Sequence, residues 1–280
     1  MTFSIVASDP GNKAWGIAVA SKFPAVGAVV PFARADAGAV ATQSFANTSF
    51  GPRGLEMMAK GLSAEATLTK LLADDPDREL RQVGLVDEQG RAATFTGQGC
   101  FAWAGGLTGK GYACQGSILA GEQVVKALER GFLEKRGDLP ARLYAALLAG
   151  DRAGGDRRGR QSAAIYVVKA GAGYAGFNDR WMDYRVDDHA DPVPRLGELI
   201  EMHRLYFEKS DETQRVELSG SVLIDMTNIL KQQEYLKEPV TFSEAFRAFI
   251  GNENFEERAD PEGRWIDKPV LEFIIRKFGK

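Results

Sequence analysis

Thr2 follows Met1, and aminopeptidases remove Met1 ahead of a side chain as small as threonine's, so the mature chain is expected to begin at Thr2. A first-residue threonine carries a hydroxyl nucleophile and a free α-amine on one residue. The amine, directly or through a water, can take the hydroxyl proton. It titrates at about 7.7–8.0 in model peptides, so a modest environmental shift makes it a base at neutral pH. Many chains begin Met-Thr without such chemistry, so the case depends on what positions Thr2 and what surrounds it.

A second group of reactive side chains is concentrated in Gly154-Gly155-Asp156-Arg157-Arg158-Gly159-Arg160-Gln161-Ser162, just ahead of an apolar strand pattern. Its glycines let backbone approach a ligand, and its guanidinium groups suit a bidentate clamp on a carboxylate. Asp156 could orient an ammonium or an arginine; a solvated basic loop explains the same composition equally well. Uncharged amides and hydroxyls also sit at strand ends, in Thr42-Gln43-Ser44-Phe45-Ala46-Asn47 and Gln115-Gly116-Ser117. Such amides can donate to a developing oxyanion, and turn chemistry is the plainer alternative. Gly171-Ala172-Gly173-Tyr174-Ala175-Gly176 has the dinucleotide spacing but leads into another strand. The fingerprint needs a helix there, so the glycines read as a hairpin turn.

Only two histidines are present, which leaves Ser-His-Asp catalysis and a multi-histidine zinc site poorly supplied. His203 falls beside an apolar helical stripe. His189, in Asp187-Asp188-His189 before Asp191-Pro192-Val193-Pro194, reads as a turn ahead of a helix more readily than as a metal ligand. No metal and no cofactor are expected. Cys100 and Cys114 could face one another across neighbouring strands, and reduced packing thiols are the reading adopted.

The elements that must hold these groups follow from periodicity. Thr2-Phe3-Ser4-Ile5 alternates as a strand does. Asp9-Pro10-Gly11-Asn12 is a turn, and 15–20 is a return strand. Thr2 is therefore expected on a sheet edge within a hairpin. Further strands are read at 26–30, 37–44, 82–87, 92–96, 112–116, 162–169 and 182–186. Helices are read at 52–60, 64–73, 122–136, 140–149 and 191–207, with Ser63 as an N-cap. Strand groups separated by helix pairs suit two mostly antiparallel sheets stacked face to face and covered by helices, an α–β–β–α arrangement of the α+β class.

Polar residues 209–215 suggest a division into residues 1–209 and a small helical appendage at 216–280. In the appendage, Thr241 and Glu244 have capping-box spacing, Gly251 is a stop, and a last helix starts near Pro269. The chain has 280 residues, 44% of them hydrophobic and 26% charged, with a net charge of −3. That balance gives no reason to invoke nucleic acid or an anionic membrane. No apolar run approaches the roughly 20 residues of a membrane span. The start of the sequence shows no basic-then-apolar export pattern, so a cytoplasmic location is expected.

Taken together, Thr2-Phe3-Ser4-Ile5-Val6-Ala7, Val19-Ala20-Ser21-Lys22-Phe23, Gly27-Ala28-Val29-Val30-Pro31, Ala41-Thr42-Gln43, Gly51-Pro52-Arg53-Gly54, Gln115-Gly116 and Gly155-Asp156-Arg157-Arg158-Gly159 with Gln161-Ser162-Ala163 resemble a bacterial family. It is the domain-of-unknown-function family numbered ten twenty-eight, described as N-terminal-nucleophile (Ntn) hydrolase-like. The resemblance runs from Thr2 to about His203 and implies a four-layer α–β–β–α sandwich. It also implies amide hydrolysis by a terminal threonine; in a departure from the superfamily pattern no self-cleaved propeptide is expected, so exposure of Thr2 depends on removal of Met1. The lysine of proteasome-like sites has no secure counterpart, Lys22 and Arg34 being candidates. From about Val216 the chain resembles an appendage labelled a peptidoglycan-binding domain. A packing or assembly role is preferred there to cell-wall contact.

The function expected is hydrolysis of a small carboxylate-bearing amide or short peptide. Thr2 is its nucleophile, Asn47 or backbone N–H groups are its oxyanion donors, and Asp156 acts with Arg158. Ser21, Arg34, Gln115, Arg158, Gln161 and Ser162 are the candidate substrate-binding residues. A homo-oligomer is the expected assembly. The alternative is a non-catalytic binding module for a metabolite or a peptidoglycan fragment on the same scaffold.

Overall fold

The turn at Asp9-Pro10-Gly11-Asn12 closes with the Asn12 N–H donating to the Asp9 carbonyl at 3.2 Å. It joins strand β1 (Thr2–Asp9) to β2 (Ala14–Ser21). The structure, a computed structural model, describes residues 2–208 and 211–279. It divides between Leu199 and Ile200 into two compact units.

In the first unit β3 (Pro31–Arg34), β4 (Gly38–Ser44), α1 (Phe50–Ala59), α2 (Ala64–Ala73), β5 (Arg81–Asp87) and β6 (Ala92–Thr96) follow. Then come β7 (Gly105–Gly109), β8 (Tyr112–Gly116), α3 (Gln123–Glu134), α4 (Leu139–Arg152), β9 (Ser162–Lys169), β10 (Arg180–Val186) and α5 (Pro192–Phe207), the last running across the division. The strands form a six-stranded sheet, order β10-β9-β2-β1-β8-β7, and a four-stranded sheet, order β3-β4-β5-β6. Every pairing in both sheets is antiparallel.

The sheets face each other across one apolar layer. Val6, Trp15, Ile17 and Val19 of the larger sheet meet Ala39, Ala41 and Val86 of the smaller. Helices α1 and α2 cover the smaller sheet's outer face, where Phe50, Leu55, Met58 and Leu71 pack on Val40, Val83 and Leu85. Helices α3 and α4 cover the larger sheet's other face. There Gly16 lets Leu143 of α4 close on β2, and Gly150 sits against Leu128 and Phe3. Ser63 caps α2 by accepting from the Ala66 N–H, and Asp138 caps α4 through Ala141.

Three expectations need correction. Strand β1 is interior, flanked by β2 and β8, not on an edge. It is buried along both faces, and such a strand belongs where both its hydrogen-bonding sides are also covered. Residues 26–30 form a 3₁₀ turn over Val26–Ala28, not a strand. The turn lies so close to β9 that a Cβ on Gly27 would sit 2.5 Å from the Ala164 Cβ. Strand β7 was not anticipated because Gly105–Gly109 is glycine-rich; Gly109 leaves room for the Tyr112 ring.

In the second unit β11 (Arg215–Glu217) pairs antiparallel with β12 (Trp265–Asp267). Around them lie α6 (Gly220–Gln232), α7 (Phe242–Asn252) and α8 (Lys268–Phe278). Both halves of the capping box form at Thr241 and Glu244, and α7 runs one residue past Gly251. Met226, Leu230, Phe246, Phe249, Phe255 and Ile274 build the core. Within it the Arg258 side chain is 2% exposed, ion-paired with Asp267 at 2.7 Å. Arg258 also donates to the Arg204 and Leu205 carbonyls at 2.8 Å each.

Candidate functional site

Register across three strands places Thr2, Ser21 and Ser162 side by side at one end of the larger sheet. All three are buried. Phe3 packs against the helices, so alternation turns Thr2 and Ser4 toward the other sheet. Thr2 Oγ1 lies 3.0 Å from Ser21 Oγ. Ser162 Oγ donates to the Phe23 carbonyl at 2.5 Å and accepts from the Val26 N–H at 3.1 Å, tying the 3₁₀ turn to β9. The Thr2 carbonyl accepts from the Ser117 N–H at 3.1 Å and from Gln43 Nε2 at 3.2 Å. The threonine is thus held by its strand neighbours, its carbonyl and its hydroxyl.

Thr2 lines a cavity of about 210 Å³ whose other polar residues include Ser21, Gln43 and Arg158. Phe23, Val26, Val29, Val30 and Phe45 supply its apolar wall. Behind Thr2 a buried amide chain joins the sheets. Gln115 Nε2 donates to Ser4 Oγ at 2.7 Å, and Ser4 Oγ donates to Gln43 Oε1 at 2.7 Å. Gln43 Nε2 donates to Gln82 Oε1 at 2.8 Å, and Gln82 Nε2 to the Gly116 carbonyl at 2.9 Å. Gly84 makes room for this, since a Cβ there would lie 2.2 Å from Gln115 Oε1. A satisfied buried network of this kind specifies one packing of the two sheets. Gln115 is therefore a supporting residue between the sheets, not a lining residue of the cavity.

The loop at 153–161 reaches the same end of the sheet through Asp156, whose side chain is 1% exposed. Its carboxylate accepts from the Lys22 N–H at 3.0 Å, and from Arg158 through the backbone N–H, Nε and Nη2, the last at 2.7 Å. Burial alone would raise the Asp156 carboxyl. The Arg158 guanidinium and the two N–H groups outweigh it and hold it below the usual carboxylate range. An ionised Asp156 with its oxygens committed aims Arg158, which lines the Thr2 cavity, while Asp156 itself lines a separate cavity of about 350 Å³. That second cavity is also lined by Ser21, Ser162, Asp151 and Arg160, the last two ion-paired at 2.8 Å.

The sequence of residues 2–196 matches the model described as "Family of unknown function (DUF1028)". The chain belongs to this family. A second match, over residues 206–274, carries the description "Putative peptidoglycan binding domain". The crystal structure of protein SPO2555 from Silicibacter pomeroyi, which bears the DUF1028 family label, is similar at 29% identity and a TM-score of 0.66. The similarity covers 72% of this chain and 89% of that one. None of the curated proteins matches the sequence.

Within the DUF1028 unit, other candidates lie elsewhere. The Asn47 amide donates to Asp75 at 2.9 Å and its oxygen accepts from Ser49, so it serves the start of α1 and does not line the Thr2 cavity. Arg34 is exposed opposite Gly38, at the other end of β4 from Gln43. It lines an open cleft with Tyr166 and Arg180. Gln161 enters through its backbone carbonyl, which accepts from the His189 N–H at 2.8 Å. His189 is exposed, its Nδ1 accepting from the Asp191 N–H at 2.9 Å, which is turn chemistry. Cys100 lies outside the strands and Cys114 is buried in β8, both as free thiols.

Among the described residues no group of three or more His, Cys, Asp or Glu side chains could hold a metal ion. Among them, too, no helix is long and apolar enough to cross a membrane. No part in a cavity wall was read for Phe23, Val29 and Phe45 in the sequence, where single exposed or half-buried apolar residues carry no such signal.

Asp75, which holds Asn47 away from the cavity, gives a pH prediction. The Arg81 guanidinium, first, and then the Asn47 amide and the Asp77 N–H outweigh burial and bring its carboxyl to about 2. Because the folded value is depressed from 3.8, the stability it contributes is present above about pH 4 and lost as the pH falls through about 2. Carboxyl-detected NMR titration is expected to show that depressed midpoint, and Asp75→Asn to remove this part of the acid sensitivity.

Proposed function

We propose that the DUF1028 unit is an amidohydrolase for small carboxylate-bearing amides or short peptides, with Thr2 as its nucleophile. The observation that carries this reading is Thr2 Oγ1, hydrogen-bonded to Ser21 on the wall of a cavity that also receives Arg158. Two facing antiparallel sheets, with α1 and α2 outside one and α3 and α4 outside the other, support an N-terminal-nucleophile-hydrolase-like sandwich of four layers.

The chemistry requires Thr2 to carry a free α-amine. Thr2 Oγ1 attacks the amide carbonyl carbon, forming a C–O bond and placing a charge on the carbonyl oxygen, while the α-amine takes the hydroxyl proton. Collapse breaks the C–N bond, and the same proton passes to the departing nitrogen. Water then adds to the threonine ester, releases the acid and restores the hydroxyl. Ser21 orients Oγ1, Asp156 positions Arg158, and Arg158 holds a substrate carboxylate.

Intact-mass measurement and a panel of small amides test the reading together. The expected result is a chain that starts at Thr2 and turns over part of the panel. Retained Met1 in the active fraction defeats the nucleophile assignment, and binding without turnover leaves a non-catalytic binding module. For the second unit we keep a packing or assembly role. Cell-wall contact is brought to it only by the description of the matched domain, while most of its aromatic side chains, Phe207 and Trp265 apart, pack in or against its core.

A further inference from the structure

The wall of the Thr2 cavity narrows the substrate. Phe23, Val26, Val29, Val30, Phe45 and Ala46 are apolar, and Arg158 is the cavity's cation. Val26 and Val30 are almost fully buried, whereas Phe23 and Phe45 are 46% and 48% exposed. Phe45 meets Phe101, itself 54% exposed, with ring centroids 6.2 Å apart. Apolar surface therefore runs from the cavity floor out to its rim. Scattered exposed apolar residues need no explanation, but aromatic rings placed on the rim of a cavity that holds a nucleophile do. Size sets the other bound: an apolar cavity of about 150 Å³ takes a benzene molecule, so one of about 210 Å³ takes a branched or aromatic group of similar scale.

We infer that the acyl half of the substrate is a small branched or aromatic apolar group, and that the carboxylate held by Arg158 sits on the departing amine. The substrate class is then an N-acyl amino acid, or a dipeptide with an apolar first residue. This rests on the hydrolase reading above. The Asp156–Arg158 pair supports the placement of charge. Asp156, accepting from Nε and Nη2, fixes the plane of the guanidinium and so the direction from which a carboxylate can meet it. Apolar walls in turn disfavour a second charge on the acyl side, because the side chains of Phe23, Val26, Val29, Val30 and Phe45 offer a carboxylate no donor.

The test uses the full chain and a series of N-acylglycines. From acetyl to isovaleryl, kcat/KM is expected to rise about fourfold per added carbon, about 60-fold in all, as each buried carbon contributes its transfer free energy. Phenylacetylglycine should remain a substrate, and N-succinyl amides of uncharged amines should be poor ones. Val29→Phe, at a half-buried wall position, is expected to move the optimum toward acetyl while thermal melting shows the fold retained. Arg158→Gln should raise KM more for acylglycines than for acyl amides without a carboxylate, with thermal melting used to check that the fold survives the loss of the Asp156 partner.

Calorimetric binding of the same series to Thr2→Ala protein separates the two claims. Acyl-dependent binding without turnover by the native chain supports the cavity assignment and removes the hydrolase. Turnover indifferent to acyl size, or favouring succinyl, overturns the cavity assignment and leaves the hydrolase standing. Neither binding nor turnover anywhere in the series overturns the cavity assignment as well.

Discussion

Thr2→Ala is expected to lose amide hydrolysis by about 10²–10⁴-fold or more, the scale of a positioned base together with the nucleophile it serves. The substitution is a clean one. Alanine is as small a second residue as threonine for Met1 removal, so the α-amine is retained while the hydroxyl and the γ-methyl are lost. The structural cost is the bond with Ser21, about 0.5–1.5 kcal/mol for one hydrogen bond, together with one buried methyl group, about 0.8 kcal/mol of transfer free energy. The carbonyl of residue 2 keeps its bonds to the Ser117 N–H and the Gln43 amide. Calorimetry should therefore find a folded protein with a slightly lowered melting temperature, while amide turnover disappears. Thr2→Ser retains a hydroxyl on the same carbon and should retain measurable turnover. An alanine variant that hydrolyses amides at the native rate would end the assignment.

The largest stability effect is expected in the second unit, at Arg258. Its guanidinium is shut inside the core, held by Asp267 and by the Arg204 and Leu205 carbonyls near the end of α5. Removing one partner of a buried pair strands the other charge, at a cost of about 3–5 kcal/mol. Against a typical total of about 5–15 kcal/mol, Arg258→Met should leave the unit partly unfolded at room temperature or close to it. Hydrogen exchange across residues 211–279 is the measurement: protection in α6, α7 and α8 should fall while β1, β2 and β9 keep theirs. Adding Asp267→Leu should recover part of the loss, since an apolar pair of similar volume replaces a buried ion pair at little cost. Recovery stays incomplete because the Arg204 and Leu205 carbonyls still lose the bonds that Arg258 donated. Unchanged protection in the single variant would show that the pair contributes little.

The elements that could be read from the sequence are those whose signals lie within a few residues. Ser63 is followed by Ala66, Thr241 by Glu244, and the strands read at 82–87 and 92–96, close together in the chain, pair as neighbours. The strand over Ser162–Lys169 was legible from its own run of apolar residues. Thr2 was legible as a chemical possibility from its type and place, and the glycine-rich loop ahead of β9 as a place where Asp156 and Arg158 could act.

Tertiary structure decided which of these groups meet. β1 became interior because β8, more than a hundred residues later, pairs on its other side. Gln43 reached Thr2 and Gln115 stopped short because the sheets stack with Gly84 against the Gln115 amide. Asn47 went to Asp75, and Arg34 to the far end of β4. Caps and alternation are local consequences of backbone geometry, so they can be read residue by residue. A cavity wall drawn from the β2 end, the 3₁₀ turn, the β4 end and the β9 loop depends on strand order and sheet stacking. Those are settled only by the burial of the whole core.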